Sequence, residues 1–310
     1  MRRRKGLRFG RHRQNKRLRI NFTLKGREGR PFRIALYVIA AVVLVILLGR
    51  FFRPKVQLMN TAEMQRITDR GVLIVCVRDD TPRFAYDGEG LEIELARLFA
   101  DYLLPETETD AAAKLVIVSS QTASTKLSDG TIDVAIALMQ KGASSQYSYS
   151  YSYYTDTCIV AVRSGDEDVP LDSITIGYVQ NTAGANVLSS YIDSHETKVE
   201  RTLIDRLRGT TPELPAGAVT FTKQAFASYP DMLKALETGR IGGAVLTGVY
   251  AARYENEYSF SKHRIELGKV DYAITSTSDE PAIAQLADVF IYDLKESGKL
   301  DELLKKYGLQ

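Results

Sequence analysis

Three histidines, His12, His195 and His263, and two cysteines, Cys76 and Cys158, are the side chains best suited to metal or nucleophilic chemistry. No pair of them stands at ligand spacing, so no metal centre is expected. The HExxH, GxSxG and P-loop patterns are absent, which argues against the hydrolases and nucleotide enzymes that use them. His195 and His263 lie in polar stretches that read as exposed. Asp79 and Asp80 are adjacent carboxylates that could share acid-base work. Neighbours in an extended loop point to opposite sides, however, so a solvated loop with Asp80 near a cleft is the better reading. The cysteines sit in VLIVCV and CIVAV, apolar runs in which two buried thiols are more usual than a bridge. Spacing leaves open whether they meet. No catalysis and no cofactor are expected, and binding becomes the chemistry to look for.

The chain that must position such groups has 310 residues, 45% hydrophobic and 25% charged, which is globular composition with room for one large domain or two lobes. Its charge is divided unevenly. Residues 1–55 hold 17 Lys and Arg against the single Glu28, so an overall +3 leaves residues 56–310 at −13. From Ile34 to Gly49 no charge interrupts IALYVIAAVVLVILLG, and Phe51 and Phe52 continue the run past Arg50, whose long side chain can reach the headgroups. The stretch 34–52 is about as long as a bilayer core requires and is expected to be a single transmembrane anchor. A cleaved signal peptide has a shorter apolar core and a small-x-small site, whereas this run ends Gly49-Arg50-Phe51-Phe52. The first cysteine after it is Cys76, so lipid attachment is not expected. Residues 1–33 form a basic arm that the positive-inside tendency keeps cytoplasmic, with the acidic domain outside the cell membrane. Basic runs also neutralise phosphates. A membrane helix directly after this one makes topology and anionic lipid the better explanation, and no nucleic-acid partner is expected.

Beyond the anchor, strand and helix patterns alternate, as in an α/β fold. A helix over Thr61–Arg70 leads to the apolar strand VLIVCV, a polar loop from Asp79 to Glu89, and a helix over Leu91–Tyr102. The strand LVIVS, a short helix over Thr122–Leu127 and the strand IDVAIALM follow. In SSQYSYSYSYY, Tyr147, Tyr149, Tyr151 and Tyr153 recur with period two, which puts four rings on one face of an extended segment. CIVAVR, ITIGYV and VTF read as further strands. Helices are expected from Thr182 and over Tyr229–Glu237, and GGAVLTG reads as a strand. Residues 205–218 read as an exposed insertion. Ser278 is the expected N-cap of a helix whose apolar face is Ile283, Leu286, Val289, Phe290 and Leu294, and a last helix runs to Lys306.

Several blocks then carry a resemblance. They are Ile67-Thr-Asp-Arg-Gly-Val-Leu-Ile-Val-Cys-Val, Asp80-Thr-Pro-Arg-Phe-Ala-Tyr, Gly90-Leu-Glu-Ile-Glu-Leu-Ala, Leu127-Ser-Asp-Gly-Thr-Ile-Asp, Tyr153-Tyr154, Ala235-Leu-Glu-Thr-Gly-Arg-Ile and the closing Gly298-Lys-Leu with Lys305-Lys-Tyr-Gly. Over residues 61–310 they resemble the family-3 extracellular solute-binding proteins, the amino-acid-binding components of ABC importers. The resemblance implies a periplasmic-binding-protein type II fold. Its first lobe would be 57–162 plus 271–310 and its second lobe 163–270, joined by hinge strands, with a small polar ligand between them and an ABC permease as partner. An amino acid would need an Arg fork and an Asp. After Met139 the stretch Gln140–Tyr154 has only Lys141 as a cation, with Ser145 or a neighbour at the arginine position, and Thr247 stands where the aspartate should end its strand. The candidate ligand-binding residues that remain are Asp80, Phe84 as a stacking aromatic, Met139 and Gln140 at a strand end, Asn181 and Thr182 at a helix N-terminus, and Thr247. The missing ionic partners keep an alternative open, a non-transport sensor or protein-interaction module that binds no amino acid.

Overall fold

The computed structural model of the protein describes residue 37 and residues 58–107, 109–118, 120–198 and 214–310. The basic arm, the expected anchor (Tyr37 apart) and residues 205–213 of the expected insertion lie outside them. Among the described residues no helix is long and apolar enough to cross a membrane. Pro54–Gln310 forms one compact unit.

Within that unit the elements run α1 (Ala62–Arg70), β1 (Leu73–Val77), α2 (Leu91–Leu103), α3 (Thr109–Ala112), β2 (Ala113–Ile117), α4 (Ser120–Ser128), β3 (Val134–Ala135) and β4 (Tyr147–Val162). After a 3₁₀ turn at Leu171–Ser173 come β5 (Thr175–Val179), α5 (Ala183–His195), β6 (Thr222–Phe226), α6 (Tyr229–Glu237), β7 (Gly243–Thr247) and α7 (Gly248–Tyr254). The chain closes with β8 (Ser261–Thr277), α8 (Pro281–Glu296) and α9 (Lys299–Lys306). The strands form one mixed sheet in the order β2-β1-β3-β8-β4-β7-β5-β6. β1 pairs in parallel with β2 and β3, and β5 pairs in parallel with β6 and β7. β4 and β8 lie between these two parallel triplets, antiparallel to each other and to their outer neighbours. With 16 and 17 residues they are each about 50 Å long at 3.3 Å per residue, enough to run through both halves. An α/β mixed sheet of this kind fits a two-lobed type II periplasmic-binding fold.

Burial explains where each half is held. Leu73, Val75 and Val77 of β1 pack with Leu95 and Phe99 of α2 and with Ile283, Leu286 and Phe290 of α8. Met232, Leu233 and Leu236 of α6 join Ile159, Val179 and Leu246 in a second core. Cys76 on β1 and Cys158 on β4 are both buried and free, and burial pushes each thiol up to about 12. At Gly90, φ is +130° and a Cβ would overlap the Phe84 carbonyl, so only glycine lets the 81–89 loop seat on the start of α2.

Three local expectations are corrected. The single face predicted for the tyrosines does not form, because the β4–β8 register shifts between Tyr149 and Ser152 and again before Tyr154. Tyr151 is exposed while Tyr153 is buried. The strand expected at VTF lies at Thr222–Phe226 instead. It is an edge strand with Phe226 as its one buried residue, so its sequence carries little hydrophobic pattern. The final long helix begins at Pro281 with Glu280 at the N-cap, not after Ser278. Its first turn is satisfied from afar, since Ile283 N donates to Glu63 Oε1 of α1 at 3.0 Å.

Candidate functional site

Parallel strands deliver polar groups at their carboxyl ends, and in this sheet β1, β3, β5 and β7 do so around the crossing pair β4 and β8. β1 leads directly into Arg78, whose side chain is only 4% exposed. Its Nε and Nη2 donate to Asp80 Oδ1 and Oδ2 at 2.8 and 2.7 Å, a bidentate fork whose carboxylate is 57% exposed. Burial pushes the Asp80 carboxyl up, but the hydrogen bonds and charge of Arg78 outweigh that and hold it below its usual range. The guanidinium also lies 5.5 Å from the Tyr250 ring of α7, so a group from one half of the sheet touches an element of the other. Tyr250 in turn stacks on Tyr229 at 4.3 Å.

Glu92, in the first turn of α2, is fully buried. Its Oε1 accepts from Leu138 N at 2.7 Å and from the Tyr153 hydroxyl, whereas its Oε2 has no hydrogen-bond partner among the described residues. Burial pushes this carboxyl up to about 7, against the pull of those donors and of Arg78. Asp156, in the middle of β4, is a second buried carboxylate. Its Oδ2 accepts from Val249 N at 2.9 Å and its Oδ1 from Thr157 N at 2.8 Å. Thr247 and Gly248 N donate to it as well, yet burial still raises its pKa. A Cβ at residue 248 would overlap Asp156 Oδ1, so Gly248 leaves the space this carboxylate fills.

The expected site residues separate into several environments. Thr247 is buried beside Asp156 and 3.4 Å from the Tyr272 hydroxyl. The strand end thus has a carboxyl group after all, supplied by its neighbour β4. Phe84 is 1% exposed, packed edge-on against Tyr154 at 5.1 Å. The Met139 side chain is half-buried in the small core around Leu127, and its carbonyl accepts from Ala273 N. Thr182 caps α5, donating to Val179 O at 2.7 Å and accepting from Ala185 N at 3.3 Å. Asn181 is exposed with φ +57°. Lys141 Nζ lies 5.3 Å from the Tyr151 ring. Gln140 Oε1 accepts from Asn186 Nδ2 of α5 at 2.7 Å, a second link between the halves.

Next to that link is a cavity of about 390 Å³ bounded by Gln140, one face of α5 and the stretch Leu267–Lys269 of β8. Of the expected residues only Gln140 lines it. Arg78, Glu92, Asp156 and Asn186 were not anticipated. Arg78 had a readable signal, a cation closing an apolar strand two residues before an aspartate. Asp156 had a weaker one, an acid inside a hydrophobic strand. Among the described residues no group of three or more His, Cys, Asp or Glu could hold a metal ion.

Comparison with known proteins agrees with this architecture. Residues 73–310 match the model for bacterial extracellular solute-binding proteins, family 3. A mutant of ArgBP from T. maritima has a similar structure, with a TM-score of 0.58, 20% identity, 80% of this chain covered and 100% of that one. The amino acid ABC transporter substrate-binding protein AbpA from Streptococcus pneumoniae, bound to L-arginine, gives 0.57 and 20% identity, covering 78% and 97%. An ancestral amino-acid-binding protein, a precursor of cyclohexadienyl dehydratase, gives 0.57 and 15%, also covering 78% and 97%.

Proposed function

Because the chain belongs to the bacterial extracellular solute-binding proteins, family 3, we propose that it captures a small polar solute between two lobes outside the cell membrane and presents it to an ABC permease. On this reading the lobes are 57–162 plus 271–310 and 163–270, β4 and β8 are the hinge strands, and 34–52 tethers the domain with its N-terminus in the cytoplasm. The observation that carries it is the cavity beside the Gln140–Asn186 bond, where both halves of the sheet and a crossing strand meet. A solute there contacts each half, so its binding free energy favours the closed arrangement over an open one. No bond of the solute is broken, and the chain acts as a binding protein rather than an enzyme.

A specific observation favours the second reading, a sensor or interaction module. The groups best suited to an amino acid are satisfied internally, Arg78 by Asp80 and the start of α7 by Asp156. A thermal-shift panel on the full-length chain in detergent separates the two. A ligand at a hundred times its Kd adds about 2.7 kcal/mol, so solute capture requires one compound class to raise the melting temperature and Asn186→Ala to weaken the effect. A folded chain that responds to no amino acid, amine, organic acid or sugar acts instead as the interaction module.

A further inference from the structure

The cavity beside Gln140 has a chemical bias of its own. Lys269 lines it and makes no ion pair among the described residues, and no Asp or Glu lies in the lining. The other cations near the strand ends, Arg78 and Lys141, are engaged with Asp80 and Tyr151. His195 stacks on Tyr191 at 4.0 Å, and its Nδ1 is 2.8 Å from the Tyr191 carbonyl. The same nitrogen is 2.9 Å from Ser194 Oγ, so either ring tautomer finds a partner there. The amides of Asn186 and Gln140 also line the space and, beyond the bond they make to each other, can both donate and accept, while the Ser190 hydroxyl donates to Asn186 O at 3.1 Å and can accept. Leu267 contributes an apolar wall.

We infer that this cavity receives a small hydroxycarboxylate, with its carboxylate at Lys269 and its hydroxyl among the amides and Ser190. The inference rests on the solute-capture reading and narrows the ligand of that same site. A hydroxyl matches groups that donate and accept. An ammonium at the same carbon would lose water beside a lysine and find no carboxylate in the lining to replace it. The site therefore discriminates against the amino acid of the same shape.

The test is calorimetric titration of the full-length chain in detergent with two pairs, L-malate against L-aspartate and L-glycerate against L-serine, each differing only by hydroxyl for ammonium. The expected result is that at least one hydroxy acid binds about tenfold or more tighter than its amino counterpart, and that Lys269→Gln weakens it about tenfold. Ser190→Asp, which adds a carboxylate to the lining, narrows the preference within the pair by a similar factor. Both positions are on the surface, and an unchanged circular dichroism spectrum confirms the fold. Equal or tighter binding of aspartate and serine overturns the inference while leaving solute capture intact. Hydroxy-acid binding that ignores Lys269→Gln and Ser190→Asp overturns the placement. Silence from all four compounds overturns the inference, and solute capture then stands or falls on the wider thermal-shift panel.

Discussion

Replacing Glu92 by Gln should change how the stability of the protein depends on pH. The carboxyl is fully buried with one oxygen unpartnered among the described residues, and burial raises it from 4.5 to about 7. At about 1.4 kcal/mol for each tenfold in proton affinity, that shift corresponds to roughly 3 kcal/mol. Below the unfolded value both states hold the proton and the group contributes no difference. Between 4.5 and about 7 the folded state holds it and the unfolded state does not, so rising pH removes stability until the folded carboxyl ionises. Gln keeps an Oε1 that can accept from Leu138 N and Tyr153, and it cannot ionise. The stability of Glu92→Gln minus that of the parent should therefore climb by roughly 3 kcal/mol from pH 4.5 to 8. Its absolute offset is set by how the new NH₂ is accommodated and does not vary with pH. Urea unfolding followed by far-ultraviolet circular dichroism at each pH suits a chain that contains no tryptophan. A flat difference across that range would refute the reasoning, because it would mean Glu92 titrates in the native protein as it does unfolded.

Further outcomes follow from the same geometry. Gly248→Ala should destabilise by about 2 kcal/mol or more in urea unfolding, since its Cβ competes with the Asp156 carboxylate for one space. Phe84→Ala should cost about 3–5 kcal/mol in the same assay, as for a large side chain removed from a core. A loss well under 1 kcal/mol would show that the ring is not packed as described. Cys76 and Cys158, buried with thiols raised to about 12, should resist a thiol reagent at pH 8 until denaturant is added, and both should then react. Asp80→Asn should remove stability above about pH 4 and converge with the parent in acid, because a carboxyl held below its usual range stabilises only while it is ionised.

The internal saturation of the cleft bears on what kind of binder this is. An Arg fork that is already bidentate to Asp80 offers a ligand carboxylate only an exchange of partners, which gains little. Asp156 likewise spends its oxygens on backbone donors, Thr157 N of its own strand and Val249 N at the start of α7. On the solute-capture reading proposed above, recognition falls to the groups lining the cavity along α5 and β8 rather than to Phe84 or Thr247.

Sequence by itself determined the elements whose signal is local. The VLIVCV run, the periodic face of α2, the Thr182 cap and the boundaries of α6 follow from periodicity and capping, because burial on one side of a strand or helix writes itself into neighbouring positions. The blocks from Ile67 to Gly308 were enough to indicate a family whose model matches residues 73–310. Tertiary structure alone decided what depends on residues distant in the chain. Glu63 reaches Ile283 from 220 positions away, and Asp156 reaches Val249 from 93. Bulges in the pairing with β8 break a tyrosine alternation that looked regular in one dimension. The same holds for the site: a carboxylate missing from the end of β7 is supplied by β4, because side chains meet by pairing and packing and not by their order along the chain.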